Sequence, residues 1–122
     1  MRRITLILAQ GPGQPDGDIT DRLVLDLALN QQGQIDLARY ETAEQPWLAS
    51  HEVNGARPRP LEIIRIDEGW ALQPTSSLDD PIWVFEGTLY RPGELVTIRR
   101  PDGQGLLFRV VSAEPLSSDS FG

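Results

Sequence analysis

On both sides of Pro101-Asp102-Gly103 the chain carries apolar side chains at every second position. Val96 and Ile98 precede the turn; Leu106, Phe108 and Val110 follow it. A period of two is that of a strand with one buried face, and an Asp-Gly pair between two such runs closes a hairpin. Pairing Arg100 with Gln104 sets Ile98 opposite Leu106, Val96 opposite Phe108 and Glu94 opposite Val110. That is the expected buried face. The other face then sets Leu95 against Arg109, Thr97 against Leu107 and Arg99 against Gly105, with Val111 beyond. It is too apolar for a plain solvent side. Two readings stand: the arginine stems cover the leucines with their guanidiniums in water, or Leu95, Arg99, Leu107 and Arg109 form a contact face for a protein partner, a second copy or an anionic ligand.

The rest of the chain fits a β-rich domain. Ile4–Ala9 reads as a first strand, and Gly11–Asp21 as a long turn region rich in Gly and Pro. Arg22–Leu29 alternates, with Leu23, Leu25, Leu27 and Leu29 on one face. Asn30–Gln34 turns the chain. Residues 36–45 suit either a hairpin strand or a short helix. Asp36 as N-cap and the spacing of Leu37, Tyr40 and Ala43 favour the helix, which Pro46 would end. Residues 50–60 read as loop or poor edge strand, because Arg and Pro alternate there. A three-residue turn at Asp67-Glu68-Gly69 would pair Ile66 with Trp70 and Ile64 with Leu72. Residues 74–81 read as a polar loop and Ile82–Phe85 as a buried strand. Arg91-Pro92-Gly93-Glu94 suits a type II turn, with Pro and Gly central. The expectation is a mainly β fold: a small antiparallel β-sandwich or partly open barrel of six to seven strands with one short helix. It spans residues 1–114, followed by a flexible tail at 115–122.

The run Tyr90-Arg91-Pro92-Gly93-Glu94-Leu95-Val96-Thr97-Ile98, then Asp102-Gly103, then Phe108-Arg109-Val110-Val111-Ser112 resembles the C-terminal signature PGEYVSI, DG, FRVVSV of a group of short uncharacterised proteobacterial proteins. Gly33 and Asp36 add a weaker match to a G-x-x-D. The likeness covers about twenty residues, and Leu95 stands where the signature has Tyr. The group has no assigned activity, so the resemblance implies no role for any residue.

Composition narrows the chemistry. The 122 residues contain no Cys and no Lys; all eleven basic residues are Arg. Disulfides, thiolate metal sites, cysteine nucleophiles, Schiff-base lysines and the P-loop lysine are thereby removed. His51 is the single histidine. A net charge of −7 disfavours nucleic acid and anionic membranes as partners. Arg2 and Arg3 before Ile4–Ala9 resemble the start of a signal peptide, but six apolar residues fall short of the usual h-region of about 7–15, so a cytoplasmic location is expected. Asp16, Asp18 and Asp21 could supply calcium ligands, yet Gly17 comes too early for an EF-hand loop, and turn chemistry explains the Asp and Gly without metal. No metal or cofactor is expected. His51 beside Ser50 reads as a loop histidine, since neighbours on an extended chain point apart. Asp67-Glu68 and Asp79-Asp80 are acid pairs in turns. Ser50, His51, Asn54 and Gly55 resemble in type the residues of forkhead-associated domains, but are spaced too closely. Trp47, Trp70 and Trp83 read as core. The expected role is a small non-enzymatic binding or protein-interaction module; the alternative is a small carboxylate-based hydrolase, metal-assisted or not.

Overall fold

A computed structural model describes residues 1–11, 13–67, 69–75, 82–86 and 89–116. Eight antiparallel strands run in chain order and close on themselves: β1 (Arg2–Gln10), β2 (Asp18–Leu27), β3 (Trp47–Glu52), β4 (Arg59–Ile66), β5 (Gly69–Pro74), β6 (Trp83–Glu86), β7 (Leu95–Arg99) and β8 (Gly105–Pro115), with β8 pairing back onto β1. The single helix, α1 (Leu37–Glu41), lies between β2 and β3. The chain is therefore mainly β and barrel-like, with one short helix as expected. The strand count is eight, and the barrel is closed. Among the described residues closure leaves no strand without a neighbour on either side, which removes the usual route to edge-to-edge pairing.

The last hairpin takes the register that its turn dictates: Ile98 faces Leu106, Val96 faces Phe108, Leu95 faces Arg109, Thr97 faces Leu107 and Arg99 faces Gly105. The Arg100 amide donates to Gln104 O at 2.8 Å, closing the turn. The Arg91–Glu94 turn also forms. Its Glu94 amide donates to Arg91 O, and Gly93 takes φ +96. Val110 N donates to Glu94 O at 2.9 Å, extending the predicted pairing.

Several expectations are corrected. Within the run 50–60, expected as loop or poor edge strand, residues 50–52 end β3, which begins at Trp47, and residues 59–60 begin β4. Pro60 is tolerated because it stands second in β4, near a strand end where a missing donor costs least. β2 begins at Asp18, four residues early, because a break in the β1–β2 register sets Leu8 opposite Asp18 and lets the turn residues join the sheet. α1 ends at Glu41 with Thr42 as its cap, before Pro46 is reached; Asp36 Oδ1 accepts from Arg39 N as the N-cap. The β4–β5 hairpin is slipped by one residue. Ile66 pairs with Gly69, Arg65 with Trp70 and Ile63 with Leu72, so Ile63, not Ile64, enters the core. A two-residue connection replaces the three-residue one, and because side chains alternate with period two, one step exchanges the faces. β8 also runs through Pro115, which pairs with Arg2, and Leu116 N donates to Met1 O. Of the polar loop expected at 74–81, Pro74 instead ends β5 and is buried, and residues 76–81, like 117–122, lie outside the described residues.

The interior is lined by apolar side chains. Leu6, Leu25, Ile63, Ile98 and Phe108 are fully buried, with Tyr90 among them. No charged or polar residue is buried among the described residues. One end is closed by residues 28–46. Leu29, Ile35 and Tyr40 pack onto the core, and the Tyr40 ring meets Trp47 and Trp70 edge-on at 5.0 and 4.9 Å. Tyr90 N donates to Gly33 O at 2.9 Å, and Arg91 Nη2 to Gln32 O, pinning this segment to the β6–β7 connection. A Cβ on Gly33 would lie 2.8 Å from Arg91 Nε, so the clamp needs glycine there.

Candidate functional site

Two regions remain for function: the outer face of the last hairpin and the end of the barrel opposite the α1 segment.

On the outer face the structure brings together the four residues that the sequence singles out. Leu95 is 50% and Val111 43% exposed; Arg99 and Arg109 are exposed, and Leu107 is half-buried beside them. Val111 faces outward by the same alternation that puts Leu107 and Arg109 there. Thr5 pairs with Ser112 and Leu6 with Val110, so Val111 is also the extra residue of a bulge, with no partner on β1. The two arginines differ. Arg99 Nη2 lies 3.3 Å from Glu86 Oε1, with both side chains about half exposed, so the pair contributes a few tenths of a kcal/mol at most. Arg109 has no ion-pair partner among the described residues. It stands opposite Leu95 on one side and Ile7 on the other, and Ile7 stands opposite Arg22. One continuous row across β7, β8, β1 and β2 therefore reads Leu95, Arg109, Ile7, Arg22. Ile7 and Arg22 escape sequence reading because strand closure, a contact between chain ends, places them there.

At the open end the inward-facing positions change character. β3 sends Trp47 and Ala49 into the core and then His51; β2 ends the same alternation on Asp21. His51 is thus a strand residue pointing inward, not a loop histidine. Its Nε2 lies 2.7 Å from Asp21 Oδ1, and each side chain is 18% exposed. The Trp83 ring sits 5.5 Å from the His51 ring, and the Arg100 guanidinium lies over Trp83 at 5.7 Å. These groups line one cleft together with Gln14, Asp18 and Asn54. The His51–Asp21 pair is invisible in sequence because thirty residues separate its members. Trp83 is half-buried at this cleft rather than enclosed in the core.

The remaining sequence candidates do not converge. Asp18 Oδ1 accepts from the Thr20 amide at 2.9 Å and its hydroxyl at 2.6 Å, and these bonds hold the Asp18 carboxyl below the usual carboxylate range. Asp21 is taken by His51, and Asp16 is exposed. Among the described residues no three His, Asp or Glu side chains gather as metal ligands. Ser50 and His51 take opposite sides of β3, and Ser50 lines an outer groove with Arg3 and Asp26. Glu68 and Asp79-Asp80 lie outside the described residues. No protein-family model, curated protein or solved structure matches the chain.

Proposed function

We propose that this chain is a non-enzymatic binding module that presents the outer face of β7 and β8, with Leu95, Arg99, Leu107 and Arg109, to a protein partner. The observation that carries this reading is the row Leu95, Arg109, Ile7, Arg22: exposed or half-exposed apolar side chains alternate with arginines that have no carboxylate partner among the described residues. With the core already complete inside the barrel, these apolar groups are not needed for folding. Apolar contact and Arg forks together are the composition of interface centres. The partner surface that fits combines carboxylates with apolar side chains, since Arg matches a carboxylate with two parallel hydrogen bonds.

The barrel is also the inverse of one that faces lipid. Its inside is apolar, while Arg3, Arg22, Asp26, Glu52 and Arg109 stand outside. The hydrolase reading has less support, because Asp18 and Asp21 are committed to Thr20 and His51.

The test compares proteins that co-purify with the native chain, with the double variant Arg99→Glu and Arg109→Glu, and with Arg57→Glu in the β3–β4 loop. A partner whose recovery drops about tenfold with the double variant alone supports the reading, since an anchor arginine is worth upward of 1 kcal/mol. Recovery that never distinguishes the double variant from the loop control refutes it.

A further inference from the structure

We propose that the open end of the barrel is a second binding site, for a small organic acid that carries a hydroxyl or amine besides its carboxylate. The site lies on the inner side of the barrel wall and is independent of the β7–β8 face.

The inference starts from His51. Among the described residues no side-chain nitrogen or oxygen is both buried and without a hydrogen-bond partner. The contact of His51 with Asp21 is made through Nε2, and His51 lines the cleft, so Nδ1, on the other side of the ring, is the nitrogen left for a ligand. The Asp21 carboxylate is an acceptor and fixes a proton on Nε2; in the neutral ring Nδ1 is then a lone-pair acceptor. That nitrogen asks for an O–H or N–H.

Arg100 supplies the opposite requirement. Its guanidinium carbon lies over the Trp83 ring, 5.7 Å from the ring centre, and its one side-chain hydrogen bond among the described residues is a long one, 3.4 Å from Nη1 to Gln104 Oε1. A guanidinium so little committed has N–H donors left to hold a carboxylate at two points. No carboxylate of the described residues fills that role. Asp18 and Asp21 also line the cleft, and their charge weighs against a doubly charged phosphate more than against a single carboxylate. Trp83 stands between the two polar groups, its ring 5.5 Å from one and 5.7 Å from the other, a flat apolar wall suited to a flat ligand body.

Why these side chains stand there supports a site over a mere rim. The same strand alternation that delivers Leu23, Leu25 and Ala49 to the core delivers Asp21 and His51 to the next layer, where each keeps less than a fifth of its surface exposed. A hydrophobic residue at either position would extend the core.

The probe is 4-hydroxybenzoate, with benzoate lacking the hydroxyl, phenol lacking the carboxylate, and inorganic phosphate run in parallel. The readout is the side-chain indole N–H resonances, with Trp47 and Trp70 at the closed end as internal controls. A saturable shift of Trp83 alone is expected at millimolar 4-hydroxybenzoate, with binding about tenfold weaker for phenol and for the Arg100→Gln variant. In His51→Phe, 4-hydroxybenzoate and benzoate should bind alike. Thermal melts check each variant; should His51→Phe fail to fold, Arg100→Gln carries the test. No saturable shift, a shift unchanged by Arg100→Gln, or phosphate binding more tightly than the acid overturns the proposal.

Discussion

Reversing the charge at Arg109 and placing the same charge one residue later, at Val110, should give outcomes an order of magnitude apart. Arg109 is exposed, on the outer face of β8, with no ion pair among the described residues. Its replacement by Glu removes packing of the arginine stem and little else, within about 0.5 kcal/mol. With a urea slope of about 1–3 kcal/mol per molar, the midpoint moves by less than about 0.5 M. Val110 is fully buried. Its replacement by Glu loses about 1.5–3 kcal/mol of apolar burial and adds a carboxylate without a partner, for several kcal/mol more. A domain of this size holds about 5–15 kcal/mol in total, so Val110→Glu should be unfolded, or nearly so, without urea. Tryptophan fluorescence across a urea series reads both, because Trp47 and Trp70 pack on the core. If Arg109→Glu unfolds while Val110→Glu melts near the native midpoint, the face assignment of β8 is reversed. The binding face proposed for Leu95, Arg99, Leu107 and Arg109 then falls with it.

Two further outcomes test the scaffold. Gly17 and Gly103 both have positive φ, +80 and +89, but a Cβ on Gly17 would lie 2.3 Å from Leu8 O and 2.8 Å from Ala9 O, whereas one on Gly103 meets nothing within 4 Å. Gly103→Ala should therefore cost about 1–2 kcal/mol for its left-handed backbone, and Gly17→Ala about 1–3 kcal/mol more for the clash; equal urea midpoints would show that the β1 carbonyls yield freely. Burial pushes the Tyr90 hydroxyl well above the ordinary phenol range. The unfolded chain then ionises first, above about pH 10, and binds fewer protons than the folded one, so stability falls as pH rises past that point. Tyr90→Phe should flatten this alkaline loss in urea midpoints taken from about pH 8 to about pH 11, and an unchanged slope would refute the assignment.

What the sequence disclosed and what it hid follow from how strongly each strand marks its inward face. β7 and β8 place Val, Ile, Leu and Phe inward across a turn that admits one register, so every pairing was legible. β3 places Trp47, Ala49 and His51 inward; a small residue and a polar one blur the period, and its second half passes for loop or poor edge strand. In β4, Ile63 and Ile64 are adjacent and equally apolar, so nothing but the length of the turn decides between them. A two-residue and a three-residue connection are both compatible with Asp67-Glu68-Gly69. Closure itself has no local mark: β1 and β8 lie a hundred residues apart, and Ile7 meets Arg109 only because the sheet curls round. The candidate site divides the same way. The four residues of the hairpin face could be read from one turn, whereas Asp21, His51, Trp83 and Arg100 come from four strands or their ends.

The two candidate sites differ in how regular their strands are: the β7–β8 face keeps one unbroken register, whereas the register breaks of the sheet are concentrated in β1 and its neighbours. The register with β8 shifts between Thr5 and Leu6, which sets Ala113 rather than Ser112 opposite Ile4. Without that extra residue Ser112 would take the inward place that follows Val110 by two, and a hydroxyl would face the core beside Ile4. Nearer the open end the register shifts again, with β2 between Ile7 and Leu8 and with β8 between Leu8 and Gln10. Bulges add twist and bend the strand that carries them, and here they lie beside Asp18, on the rim of the cleft that holds His51 and Arg100. A closed eight-stranded barrel is just wide enough to be filled by its own side chains, and the interior here is lined by apolar ones. The wall and the rim are then the surfaces proposed above for binding, and the irregularities of β1 shape the rim.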